Sequence, residues 1–316
     1  MKPSRSPATV TRAAFKCRFL YPRYWGHWLL LLVLGLLAWV PPRWRDPLIG
    51  ACGRCLGRWY RRPRQRATVN LRYCFPQWSE FQREQVLDQM FSTAAQVMVA
   101  VAELGVRSPG YLLSRIRISG REHLEQARQQ GRPLIFMVPH GWGIDVAAVT
   151  LAAAGLPMAA MFKPHPDPLV DWLWNRIRLR FGGRLHPRQQ GLKPFIQSVR
   201  SGYIGYYLPD QDHGAEKSEF VEFFATYKAT LPLLIPLAKA CRASVIPLFP
   251  VYKAAEGLFE LELRPALEEP LDLEPVAAAR RMNQEIEALV MPHPEQYLWV
   301  LKLLKTRKLG DPALYR

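Results

Sequence analysis

A chain of 316 residues, 49% hydrophobic and 22% charged, has an ordinary globular composition with an apolar surplus, enough for one large catalytic domain plus an attached segment or two modest domains. Its 43 Lys and Arg outnumber 26 Asp and Glu to give +17, and the excess is concentrated: residues 1–72 hold fifteen basic residues and a single acid, Asp46. A nucleic-acid binder carries its charge on the folded module that reads phosphate, whereas here the charge brackets the most apolar stretch of the chain, which argues against nucleic acid and for anionic lipid headgroups.

In chain order, residues 1–23 read as a basic tail and residues 24–42 as a membrane anchor, YWGHWLLLLVLGLLAWV with Trp25, Trp28 and Trp39 near its ends, where amphipathic rings favour the interface. A cleaved signal peptide competes, but Trp39-Val40-Pro41-Pro42-Arg43 offers no small-residue cleavage site. Both flanks are basic, so the positive-inside rule does not orient the segment, and a shallow or re-entrant insertion stays open. Residues 43–105 form a basic, membrane-proximal helical segment. Within it Cys52-Gly-Arg-Cys55 has no second pair to complete a zinc site, and the five scattered cysteines read as structural thiols of a reducing, cytoplasm-facing protein. Ser79 followed by Gln82 predicts a capping box, and Val86, Met90, Val97, Val101 and Leu104 predict a helix to about residue 104.

Residues 106–316 read as one α/β catalytic domain, because strands and helices alternate. Strands are predicted at 133–138, 158–162, 203–208, 244–249 and 258–263. Helices are predicted from Asp145 to Ala154, Leu169 to Phe181, Leu192 to Val199 and Leu231 to Cys241, and over most of 275–305. The first of these strands runs into a turn holding His140, Gly141 and Gly143, and Asp145 opens the next helix. A spacing of five lets the carboxylate meet the imidazole, fixing its tautomer and stabilising the imidazolium formed when His140 accepts a proton. Gly141 and Gly143 are candidates to offer backbone N–H groups to an oxyanion. Asp210 and Asp212 follow another strand, with a structural or substrate-orienting role expected and no metal assigned, since no His or Cys cluster accompanies them. Arg176, Arg178, Arg180 and Arg184 are candidate docking points for an acidic carrier protein or substrate phosphates, or a solvated helix face.

HGWGID (140–145) resembles the H-x4-D block of the glycerolipid acyltransferase superfamily. The likeness extends to the late acyltransferases of lipid A biosynthesis in Gram-negative bacteria, through Tyr21-Pro-Arg-Tyr-Trp25, Arg45-Asp-Pro47, Asn70-Leu71, Cys74-Phe-Pro76, LPDQDHG (208–214), FFATYKATLP (223–232), IPLFPVY (246–252) and PEQYLWVLKLLKTR (294–307). The PDQDHG and YLWVLKLLKTR forms resemble the myristoyltransferase branch. This resemblance implies a mixed sheet flanked by helices and an N-terminal anchor helix in the inner membrane, with the catalytic domain on the cytoplasmic side. It further implies transfer of a fatty acyl group from acyl-carrier protein to the hydroxyl of a 3-hydroxyacyl chain on a lipid A precursor, without a cofactor. His140 would be the base and Asp145 its orienter. Arg188 stands at a position matching a family arginine, and Lys163 where many relatives carry arginine, so both are candidate oxyanion or substrate contacts. Two other acceptor classes, another glycolipid and a lysophospholipid, remain open. So does a membrane-tethered basic binding protein without catalysis. A lipid serine hydrolase lacks its usual nucleophile site, since no G-x-S-x-G occurs.

Overall fold

The structure is a computed structural model that describes residues 14–267 and 273–315; the first 13 residues of the basic tail lie outside it. The core is a seven-stranded sheet made of β1 (Ile116–Ser119), β2 (Leu134–Met137), β3 (Met158–Phe162), β4 (Arg184–Pro187), β5 (Ile204–Tyr207), β8 (Ser244–Lys253) and β9 (Leu258–Leu263), in the order β1-β9-β8-β2-β5-β3-β4. Strands β8, β2, β5, β3 and β4 run parallel, while β9 is antiparallel to β8 and takes β1 along as its parallel neighbour. The mixed α/β sheet expected from the alternation of elements is therefore present. A separate hairpin, β6 (Glu219–Phe223) with β7 (Thr226–Thr230), lies outside it.

Strand β2 is buried along its whole length because helices cover both faces of the sheet. Ile135 and Met137 join α9 (Lys193–Arg200), α10 (Leu234–Cys241) and α11 (Pro275–Val290) in one core, through Phe195, Leu237 and Ile286. Leu134, Phe136 and Val138 point the other way, onto Leu124 of α6 (Arg121–Gln129) and Ala147 and Leu151 of α7 (Ile144–Ala153). A period-2 strand with apolar residues at every position has no solvent face to offer, and none is seen.

The basic segment folds as α2 (Pro42–Trp59), α3 (Arg61–Cys74) and α4 (Glu80–Val106), with the capping box between Ser79 and Gln82 formed as the sequence predicts. These helices are part of the catalytic body. Gly53 and Gly57 on α2 lie so close to α4 that a Cβ would stand 2.5 Å from the Phe91 carbonyl oxygen and 2.3 Å from the Phe91 ring. The close approach carries a buried ionic network: Arg45 pairs with Asp46 and Glu103, Glu103 with Arg115, and Tyr252 of β8 donates to Asp46. Asn70 of α3 donates to the Leu301 carbonyl at 2.8 Å, across most of the chain.

Two expectations fail here. The segment 24–42 holds α1 (Trp25–Leu37), a helix of 13 residues. At 1.5 Å per residue it is about 20 Å long, short of the roughly 30 Å of a hydrocarbon core, and Pro42 opens the next helix instead of extending it. A single N-terminal spanning anchor is not supported. Among the described residues, the helix long and apolar enough to cross a membrane is α4, and 56% of its apolar window is buried in the protein. The predicted helix over 275–305 stops at Val290, ahead of Pro292 and Pro294, and the chain continues as an irregular strap.

Candidate active site

Parallel strands deliver their C-terminal ends to one edge of a sheet, and the chemistry collects there. Register aligns Met137 of β2 with Tyr207 of β5, so His140 and Asp210 each follow a paired position by three residues. They meet. The His140 imidazole Nδ1 hydrogen-bonds Asp210 Oδ1, and the His140 backbone N–H donates to Asp210 Oδ2 at 2.7 Å. Tyr297 Oη, from the C-terminal strap, donates to the same Oδ2 at 2.7 Å. Asp210 is fully buried. Burial alone would raise its pKa, but the charge and hydrogen bonds of His140 and the Tyr297 hydroxyl outweigh it and hold the carboxyl at about 2. The same carboxylate, after burial, pushes the Tyr297 hydroxyl well above its ordinary value, which keeps it a donor.

Asp145 is not the partner of His140, contrary to the expectation from spacing. Its carboxylate takes a two-pronged grip from Arg178 of α8 (Pro168–Arg178), with Nε to Oδ1 at 2.6 Å and Nη2 to Oδ2 at 3.1 Å. Burial works against the Arg178 charge, and Asp145 prevails, raising the guanidinium above its usual value. The first turn of α7 aims Asp145 at α8 while the turn before it aims His140 at β5, and a contact five residues away in sequence loses to one seventy away.

His140, Asp145, Arg178, Lys163 and Arg188 all face one cavity of about 290 Å³. Lys163 and Arg188 come from the ends of β3 and β4, exposed at the rim. Ala148, Ala152, Met158, Ala160, Leu179 and Leu185 give the cavity an apolar wall. Arg188 donates to Gln211 Oε1 at 2.8 Å, and the Gln211 amide lies 3.3 Å from His140 Nε2. With Nδ1–H committed to Asp210, Nε2 is the lone-pair nitrogen turned toward the cavity.

Gly141 and Gly143, expected as oxyanion donors, do not line the cavity. Both are packing positions: a Cβ at Gly141 would sit 2.8 Å from the Phe249 ring, and one at Gly143 3.1 Å from Pro250. The strap demands that closeness, since Trp142 N–H donates to the Gln296 carbonyl and Leu298 N–H to the His140 carbonyl. Asp212 fastens the strap a second time, accepting from the backbone N–H and the hydroxyl of Thr306, both at 2.6 Å. Lys228, which the sequence reading passed over, is a fully buried cation whose burial lowers its pKa against the pull of Asp210 and Asp212. Among the described residues no three His, Cys, Asp or Glu converge as a metal site requires.

A carboxylate-steadied imidazole at the strand ends of an α/β sheet, beside an apolar cavity rimmed with cations, defines a group-transfer or hydrolytic site built for an amphipathic substrate. Comparison with known proteins narrows the class. The family described as bacterial lipid A biosynthesis acyltransferase matches residues 12–306. A lipid A biosynthesis acyltransferase of Haemophilus influenzae is 52% identical over 299 residues, 95% of this chain and 93% of the relative. A lipid A biosynthesis myristoyltransferase of Escherichia coli is 50% identical over 302 residues, covering 96% and 94%, and a lauroyltransferase of the same organism is 30% identical over 307, covering 95% and 98%. This chain belongs to the bacterial lipid A biosynthesis acyltransferase family, and it is an enzyme of that class.

Proposed function

We propose that the chain transfers a myristoyl group from acyl-carrier protein to the hydroxyl of a 3-hydroxyacyl chain on a lipid A precursor, forming an acyloxyacyl ester at the cytoplasmic face of the inner membrane. One observation carries the mechanism: His140, held through Nδ1 by a buried carboxylate, presents Nε2 to an apolar cavity. A secondary alcohol attacks a thioester well only when a base takes its proton. In this reading Nε2 takes it, Asp210 stabilises the imidazolium, and the proton passes to the departing pantetheine thiolate. Arg178, Arg188 and Lys163 put positive charge around the cavity where the tetrahedral oxyanion and the substrate's phosphates need it, and Gln211 is the group the incoming hydroxyl displaces. Asp145 acts by fixing Arg178. No cofactor enters this scheme. The 50% identity to the myristoyltransferase, against 30% to the lauroyltransferase, supports the choice of acyl group.

The membrane relation in this reading is interfacial. Trp25, Leu29, Leu32 and Leu36 of α1 and Trp44, Leu48 and Trp59 of α2 are exposed apolar side chains, and the Arg61–Arg66 run lies just beyond them. Such a surface lies in the headgroup region with its apolar side inward. The test is lipid A mass profiling in a null strain carrying wild type or His140→Ala, with purified protein assayed on acyl-carrier-protein thioesters. The expected result is one secondary acyl chain restored by wild type and absent with His140→Ala. A complete acylation pattern with the alanine variant refutes the reading.

A further inference from the structure

On the far side of α8 from the active site lies a larger groove, about 440 Å³, between α1, the C-terminal end of α4 and α8. Trp28, Leu31 and Trp172 make its apolar wall, and Arg176 and Arg180 its cationic one. Among the described residues neither arginine meets a carboxylate: Arg176 sits over the Trp172 ring at 5.6 Å, and Arg180 donates to the Leu104 carbonyl. Asn175, buried at 4% exposure, also lines the groove. Its amide nitrogen donates to Asp171 Oδ2 at 3.1 Å, but its Oδ1 is buried with no hydrogen-bond donor. An orphan acceptor of this kind is destabilising unless something supplies a donor. The space is real: a Cβ added at Gly35 would touch nothing within 4 Å, and one at Gly105 only Ile177 at 3.9 Å.

Two guanidinium groups that meet no carboxylate among the described residues, one unsatisfied acceptor and an aromatic–aliphatic wall together describe a phosphodiester with a hydroxylated headgroup and an alkyl tail. We propose that this groove binds one anionic glycerophospholipid of the bilayer, with its phosphate at Arg176 and Arg180, a glycerol headgroup hydroxyl donating to Asn175 Oδ1, and an acyl chain along Trp28, Leu31 and Trp172. Its location favours a bilayer lipid over the acyl acceptor. One wall is α1, a helix with no buried residue and exposed Leu29, Leu32 and Leu36, while α8 stands between the groove and His140. A lipid held there would tie α1 to α8, the helix that presents Arg178 to Asp145, so one bound molecule would join the membrane-facing surface to the wall of the active site.

Full-length protein released from bacterial membranes in mild detergent, weighed by native mass spectrometry with added phosphatidylglycerol or phosphatidylcholine, tests this directly. Wild type is expected to retain one phosphatidylglycerol and not phosphatidylcholine. Arg176→Gln should weaken retention about tenfold, the scale of one lost charge-assisted contact. Gly35→Leu and Gly105→Leu should abolish it by filling the groove, and both add helix-favouring side chains, so folding is kept. Equal retention of both lipids, or unchanged retention in the leucine variants, overturns the proposal. Displacement of phosphatidylglycerol from wild type by a bisphosphorylated glycolipid that itself fails to bind Gly105→Leu also overturns it and assigns the groove to the acceptor. The readout is bound lipid, not transfer, so it stands or falls separately from the catalytic reading.

Discussion

Two carboxylates beside His140 and its cavity stand in opposite circumstances. Asp210 is sealed in, held by His140 through ring and backbone and by Tyr297, and every one of those donors sits on a strand end or on the strap that crosses it. Asp145 opens a helix, keeps some exposure, and is held by one arginine on a neighbouring helix. The first environment is preorganised and stores a fixed negative charge; the second is a partly exposed charge pair on the cavity wall. The same residue type thus does two jobs, and sequence distance from the histidine is a poor guide to which.

Neutralising each carboxylate in turn tests the contrast most severely. Asp210→Asn should lower kcat by about a thousandfold or more, because the amide no longer enforces the Nδ1–H tautomer. Asp145→Asn should cost about tenfold, felt more in KM, because it frees Arg178 without disturbing His140. Equal losses in steady-state assays would erase the distinction drawn between them. Tyr297→Phe comes next: Asp210 loses a donor, its pKa rises, and the acid limb of the kcat profile should move to higher pH with a loss of about tenfold. A purely structural Tyr297 would leave that limb in place. Arg178→Lys should cost several-fold, since a lysine keeps the charge but gives up the two-pronged geometry; a double-mutant cycle with Asp145→Asn should then show strong coupling. Smallest is the effect on stability in acid. Asp210 is held at about 2 in the folded protein, below the ordinary value near 4, so its contribution is full above pH 4 and is lost as pH falls toward 2. Denaturant melts at pH 5 and pH 3 should show that decline in wild type and a flatter one in Asp210→Asn.

Much of this is legible in the sequence. Ser79 and Gln82 marked a helix start to the residue, and the apolar run before His140 marked the central strand, because capping chemistry and burial on both faces leave local signatures. The β6–β7 hairpin left none. Its two-residue turn is Phe224-Ala225, and Phe224 holds φ at +50° without the glycine or asparagine that would announce it, in contact with Phe75 and Trp299 at ring distances of 4.9 and 5.7 Å. The spanning anchor goes unsupported for a related reason: hydropathy counts apolar residues but does not see where the helix axis turns.

By itself the sequence determined the alternation of elements, the basic and apolar character of the N-terminal third and, through its motifs, the family. Tertiary structure alone decided which acid His140 meets, that Tyr297 completes the contact, that Gly141 and Gly143 pack closely, and that the first apolar helix ends after 13 residues. The reason is register. A strand pairing sets residues seventy positions apart at equal height and turns a carboxylate five positions away toward a different helix, and no local pattern along the chain encodes that choice.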